Sequence, residues 1–367
     1  MATLRLSSDP VSTIDKPNLH GGRVMDFAKK YSLAVDDVID YSSNISPIGP
    51  PKGIRNVLDD EMDRINRYPD DGDVPRQVVA DYVGVQAGNV LLGNGSVNLI
   101  YLLVNHFKPK KAIVFSPTFS EYERAALSIN GDVVHLSLGS DFSLNIEGNR
   151  DELIDADMIF ICNPNNPTGS LLGAEEILSL KNIALKSRII VDEAFMDFCG
   201  DELSVISKAM YDDRLIVLRS MGKFFSLAGL RIGYLIAEKN VVSDLERKNP
   251  PWTVSSIASA ATIEAVTDKE FISVSKKAIK SLREDLMKDL RGISGIHAFP
   301  SCANFLLLKT TRNGWNSRKI QNYLAKEAIL IREADDFVYL DETYFRIGIR
   351  KSEDNNILSD ILKRILK

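Results

Sequence analysis

Between about Val90 and Ala237 the chain alternates short uninterrupted apolar runs with longer segments of helical periodicity. The runs Val90–Leu92, Ala112–Phe115, Val133–Leu136, Met158–Cys162, Arg188–Val191, Leu215–Leu218 and Tyr234–Ile236 predict strands. Amphipathic stretches such as Val97–His106 and Glu175–Leu185 predict helices between them. Such alternation belongs to an α/β fold with a mainly parallel seven-stranded sheet covered on both faces. Ile257–Arg291 keeps helical periodicity with no proline and no glycine before Gly292, which predicts one or two helices bridging domains. After it, Phe305–Leu308, Ile329–Ile331 and Phe345–Ile349 predict strands, and Ser317–Glu327 and Asn355–Leu366 predict helices, together a small α+β domain. Pro47-Ile48-Gly49-Pro50-Pro51 punctuates the chain. The expected division is an amino-terminal arm over 1–49 that belongs with the small domain, a large domain over 50–270 and a small domain over 271–367.

A chain of 367 residues can bury a large core. Its 45 Lys and Arg against 50 Asp and Glu give a net charge of −5, which argues against a nucleic-acid surface. The basic clusters, Lys108 with Lys110 and Lys111 and Arg346 with Arg350, are too short to change that. Cys162, Cys199 and Cys302 are too scattered for a disulfide framework or a metal site and read as small buried residues in a reducing compartment. The first residues, Met1–Pro10, have no apolar core of a signal peptide, and no apolar run approaches the ~20 residues that span a bilayer. The expectation is a cytoplasmic protein with no membrane or nucleic-acid partner.

The chemistry lies where the predicted strands end. Ser220-Met221-Gly222-Lys223 follows Leu215–Leu218, and Arg231 comes eight positions after the lysine. A lysine can form a Schiff base with an aldehyde, while a serine hydroxyl and a guanidinium can hold the same molecule's phosphate. Asp192 ends another strand and can keep a pyridine nitrogen protonated. Asn166, within Asn163-Pro164-Asn165-Asn166-Pro167, can reach the ring's phenolic oxygen. These residues point to pyridoxal 5′-phosphate. Gly93-Asn94-Gly95-Ser96 feeds a helix amino terminus, whose free N–H groups suit an anion.

In this order the motifs resemble pyridoxal-phosphate enzymes of the aminotransferase class I/II family (fold type I), over nearly the whole chain. The resemblance implies that Lys223 is the Schiff-base lysine and Asp192 the partner of the pyridine nitrogen. Asn166 would contact the ring oxygen, and Phe119 would stack on the ring. Gly95, Ser96, Val97, Ser220 and Arg231 would bind the cofactor phosphate. Tyr68, in Arg67-Tyr68-Pro69, would reach the partner's cofactor phosphate in a homodimer with shared sites.

The ends of the chain are more discriminating. His20-Gly21-Gly22 and Ser42-Ser43-Asn44-Ile45-Ser46-Pro47-Ile48-Gly49 resemble the threonine-phosphate decarboxylases of cobalamin synthesis, relatives of the histidinol-phosphate aminotransferases. Pro251-Trp252-Thr253-Val254 and the strand Tyr344–Arg350 resemble them too. Phe195 stands where many transaminases place a tyrosine that bonds the cofactor oxygen. The resemblance implies a phosphorylated amino-acid substrate, with Arg346 as its carboxylate clamp. Arg332, His20, Gly21 and Gly22 would hold its phosphate, and Asn44 and Asn166 would complete the substrate site. One departure is Gly222, where the decarboxylase pattern has threonine, so one hydroxyl near the cofactor phosphate is missing.

Overall fold

The computed structural model describes residues 20–70 and 72–366, so the start of the expected arm, with Met1–Pro10, lies outside the described residues. In chain order the strands are β1 (Ile39–Asp40), β2 (Val90–Gly93), β3 (Lys111–Ser116), β4 (Asp132–Ser137), β5 (Met158–Cys162), β6 (Arg188–Asp192), β7 (Leu215–Ser220) and β8 (Gly233–Ile236), followed by β9 (Ile296–Ala298), β10 (Phe305–Thr310), β11 (Ile329–Leu330), β12 (Arg332–Glu333) and β13 (Tyr344–Gly348). Seven of them form one sheet in the order β2-β8-β7-β6-β5-β3-β4. All its pairings are parallel except the two made by β8.

The apolar runs build this sheet because successive side chains of a strand point to opposite faces. Ile159 and Ile161 enter one core with Ile113, Phe115, Ile189, Val191, Leu215 and Val217. Met158, Phe160 and Cys162 enter the other with Ala112, Val114, Ile190, Ile216 and Leu218. A sheet wetted on one face would have needed alternate polar residues.

The carboxy-terminal strands form a four-stranded antiparallel sheet, β12-β13-β10-β9. A separate parallel pairing of β1 with β11 ties the amino-terminal segment to this part. A third core lies beneath, with Leu286, Leu290, Phe345, Leu358 and Leu362. The long helical stretch is two helices, Ser256–Thr267 and Lys269–Arg291, the second capped by Asp268, whose side chain accepts from Phe271 N.

Three sequence readings are corrected. The helix expected over Glu175–Leu185 covers only Ala174–Ser179 before it tightens into a 3-10 turn at Leu180–Asn182. The strand expected over Ile329–Ile331 is split, because Gln321 donates to Ile329 O and accepts from Ile331 N. That side chain frees β11 to pair with β1 and β12 to pair with β13. Cys162 is buried as expected, but Cys199 and Cys302 are only partly so. No helix among the described residues is long and apolar enough to cross a membrane.

Candidate active site

The parallel strands β3, β5, β6 and β7 deliver their carboxyl ends to one edge of the large sheet, the usual ligand side of such sheets. Antiparallel β8 starts at that edge, with Gly233 opposite both Gly93 and Ser220. A cavity of about 460 Å³ opens there, and every candidate site residue except Tyr68 lines it.

Asp192 is buried at the end of β6. It accepts from Tyr122 Oη at 2.8 Å and from Ala194 N at 3.0 Å. Burial pushes its carboxyl up, and the Tyr122 hydrogen bond leads the groups that oppose the shift. A pyridinium nitrogen would supply the counter-charge that the pair lacks. Tyr122 is itself fixed by stacking on Phe160 at 5.1 Å. Phe119 meets Tyr122 edge-on at 5.7 Å, half-buried in the cavity wall.

Lys223 follows β7. Ser46 N donates to its carbonyl at 3.1 Å, and Ser226 Oγ donates to Ser46 O at 3.0 Å, so the amino-terminal segment braces this turn. Burial, then Arg346 and Arg231, lower the Lys223 ammonium to about 8 against the pull of Asp192. Only the neutral amine attacks an aldehyde. Because the shift is downward, that amine accumulates above about pH 8 rather than above the ~10.4 of a free lysine. Cofactor uptake by cofactor-free protein, followed by absorbance, is therefore expected to quicken about tenfold per pH unit below pH 8 and level off above it. A rise that continues toward pH 10 would contradict this environment.

The phosphate end has a built cradle. Gly95 opens the helix Gly95–Phe107 at φ +81°, and a Cβ there would stand 2.7 Å from Arg231 Nη2. A Cβ on Gly233 would stand 2.7 Å from Ser96 N, so glycine lets β8 pass against the helix start. Arg231, also at positive φ, donates to Ala228 O at 3.1 Å and stays exposed over the cradle. Ser220 Oγ accepts from Gly222 N at 3.3 Å. A Cβ on Gly222 would lie 3.1 Å from Ala228 Cα, so the turn is too close for threonine without a backbone shift. The missing hydroxyl thus has a packing reason.

Arg346 and Arg332 sit directly opposite each other on β13 and β12. Arg346 is buried; it donates to Ser42 O at 2.6 Å and to Asn166 Oδ1. Burial, then Arg332, pushes its guanidinium downward. Asn166 therefore faces the arginine as well as the cavity. A Cβ on Gly21 would be 2.0 Å from Ser42 O and 3.3 Å from Arg346 Nη2, which presses the segment against this arginine. Gly22 N donates to Ser42 Oγ at 2.8 Å. Arg346 Nε and Asn44 Oδ1 are buried without a partner among the described residues. The donor set, the cradle and these orphaned atoms fit a phosphorylated pyridine aldehyde together with an anionic amino substrate.

Sequence reasoning missed several groups. Arg350 is no surface charge: it donates to Ile45 O and Ser43 O, both at 3.3 Å, and to Asp40 O, and so shapes the Ser42–Asn44 wall. Arg332 pairs with Asp336 at 2.5 Å, and His20 with Glu121 at 2.9 Å. Ser116 Oγ lies 2.8 Å from His135 Nδ1, and Glu123 3.6 Å from its Nε2. None follows a motif; a helical carboxylate just after Phe119 was the only available signal for Glu121. Tyr68 is exposed and stacks on Trp252 at 4.3 Å, outside the cavity.

The profile of the family described as aminotransferase class I and II matches residues 36–362. A Caldanaerobacter subterraneus protein, provisionally named threonine-phosphate decarboxylase, is 35% identical over 95% of this chain and 94% of its own. The threonine-phosphate decarboxylase of Salmonella typhimurium is 31% identical over 95% of this chain and 96% of its own. The crystal structure of the histidinol-phosphate aminotransferase from Clostridium acetobutylicum aligns with a TM-score of 0.83 and 30% identity, covering 89% of this chain and 98% of that one.

Proposed function

This chain belongs to the class I and II aminotransferases, and on that premise we propose that it decarboxylates L-threonine O-3-phosphate to (R)-1-aminopropan-2-yl phosphate, the linker unit of cobalamin. The cofactor is pyridoxal 5′-phosphate, which when bound supplies an electron sink for the substrate α-carbon. Gly95, Ser96, Val97, Ser220 and Arg231 would hold its phosphate, and Phe119 and Asn166 its ring. Asp192, with Tyr122 donating to it, would keep a proton at the ring nitrogen.

The observation that carries the reading is the opposition of Arg332 and Arg346 across β12 and β13. Two guanidiniums on adjacent strands suit one small substrate bearing both a carboxylate and a phosphate. Threonine phosphate has both on one molecule, whereas transamination would divide them between histidinol phosphate and 2-oxoglutarate. Arg346 takes the carboxylate, and Arg332 with His20 and Gly21–Gly22 takes the phosphate. Asn44 completes the wall. Held at both ends, the substrate presents its Cα–carboxylate bond for cleavage. Carbon dioxide leaves without the bonding electrons, and the α-carbon takes a proton, for which Lys223 Nζ is the acid. Phe195 offers no hydroxyl and packs edge-on against Phe305 at 4.9 Å, with Lys223 Nζ 5.9 Å from its ring centre.

The same reading makes the protein a homodimer in which the exposed Tyr68 reaches the partner's cofactor phosphate. The Clostridium structure favours a second reading, transamination of histidinol phosphate with 2-oxoglutarate. The two separate on kcat/KM of the cofactor-loaded protein. Threonine phosphate without keto acid is expected to exceed histidinol phosphate with 2-oxoglutarate by roughly 10²-fold or more. The reverse order would make the chain a transaminase.

A further inference from the structure

We propose that Glu121 is a positioning residue for the substrate's phosphate end, acting through His20. The inference rests on the reading of a phosphorylated amino substrate, but not on which bond is broken. Glu121 opens the helix Glu121–Leu127, is 7% exposed and lines the cavity. His20 Nε2 lies 2.9 Å from its Oε1, Tyr101 Oη donates to its Oε2 at 3.1 Å, and Arg124 Nε lies 3.5 Å from Oε1. Burial works to raise this carboxyl, but the bonds and charges of His20, Tyr101 and Arg124 together hold it below the usual range.

A buried carboxylate in a cavity meant for a phosphate repels the ligand unless its oxygens are engaged by a side chain standing between them. His20 stands there, its ring 5.5 Å from the Phe119 ring and its side chain 48% exposed. With Nε2 engaged by Glu121, Nδ1 is the ring nitrogen left to meet a ligand. Glu121 thereby fixes the direction of the His20 ring. Arg332, the cation of this end, is braced in the same manner by Asp336 at 2.5 Å. The other charged side chains and the other histidine lining the cavity are Glu123, Asp192, Lys223, Arg231, Arg346 and His135. The bond also joins residues 101 positions apart, from the amino-terminal segment to the wall beside Phe119, so it seats the segment as it orients the ring.

The test uses the cofactor-loaded full chain and dissociation constants read from cofactor absorbance. The ligands are threonine phosphate, histidinol phosphate, inorganic phosphate and unphosphorylated L-threonine. Glu121→Ala is expected to weaken the phosphate-bearing ligands roughly 10- to 100-fold and L-threonine less than about threefold. Glu121→Gln keeps an acceptor without the charge and should fall between. In a cycle with His20→Gln, Glu121→Gln should have little further effect once His20 is gone. Parallel weakening of L-threonine, or additive effects in the cycle, would overturn the proposal. If Glu121→Ala does not fold, the glutamine cycle decides alone. Turnover of histidinol phosphate in place of threonine phosphate would remove the decarboxylase reading and leave the ratio of phosphorylated to unphosphorylated binding as the judge of this one.

Discussion

Lys223→Ala is expected to yield a folded protein that lacks the absorbance band of covalently held cofactor and turns over substrate roughly 10²- to 10⁴-fold more slowly. The fold survives because the backbone contacts of this turn remain, notably the hydrogen bond from Ser46 N to the residue 223 carbonyl. What disappears is the amine that burial, Arg346 and Arg231 hold near 8. Among the described residues, no other lysine lines the cavity to replace it. Spectra and turnover of the variant check this directly; a retained band and near-parent turnover would show that the cofactor is held elsewhere.

The second large effect is at Arg346. Arg346→Lys keeps a positive charge but loses the planar fork. Ser42 O and Asn166 Oδ1 both accept from that fork in a buried setting. Leaving either acceptor unpaired costs about 1–3 kcal/mol. A single ammonium cannot serve both and a substrate carboxylate in one plane. The expected result is a KM for threonine phosphate raised roughly 10- to 100-fold, since a charged hydrogen bond contributes about 1.5–3 kcal/mol. Steady-state kinetics with the cofactor at saturation separates this from weaker cofactor binding. An unchanged KM would place the carboxylate elsewhere.

Lys223, Asp192, Asn166 and Gly95 were legible because each follows an apolar run that could only be a buried strand, and strand ends converge on one edge. The sheet itself was legible for the same reason, since its runs are apolar on both faces. The pairing of Arg332 with Arg346 was not, because Gln321 divides what reads as one strand and so sets the register of β12. Tyr122 and Asp192 lie 70 positions apart, and no local pattern links them. Arg350 reads from sequence as part of a short basic cluster with Arg346, whereas its guanidinium donates to the carbonyls of Ile45 and Ser43. Such contacts depend on tertiary neighbours, which periodicity does not encode.

The fate of the substrate carboxylate separates decarboxylation from transamination. The most direct measurement gives purified, cofactor-loaded protein threonine phosphate labelled at the carboxyl carbon, with no keto acid present. Stoichiometric labelled carbon dioxide together with aminopropanol phosphate is the predicted result. No labelled carbon dioxide, with turnover of histidinol phosphate once 2-oxoglutarate is supplied, would contradict it.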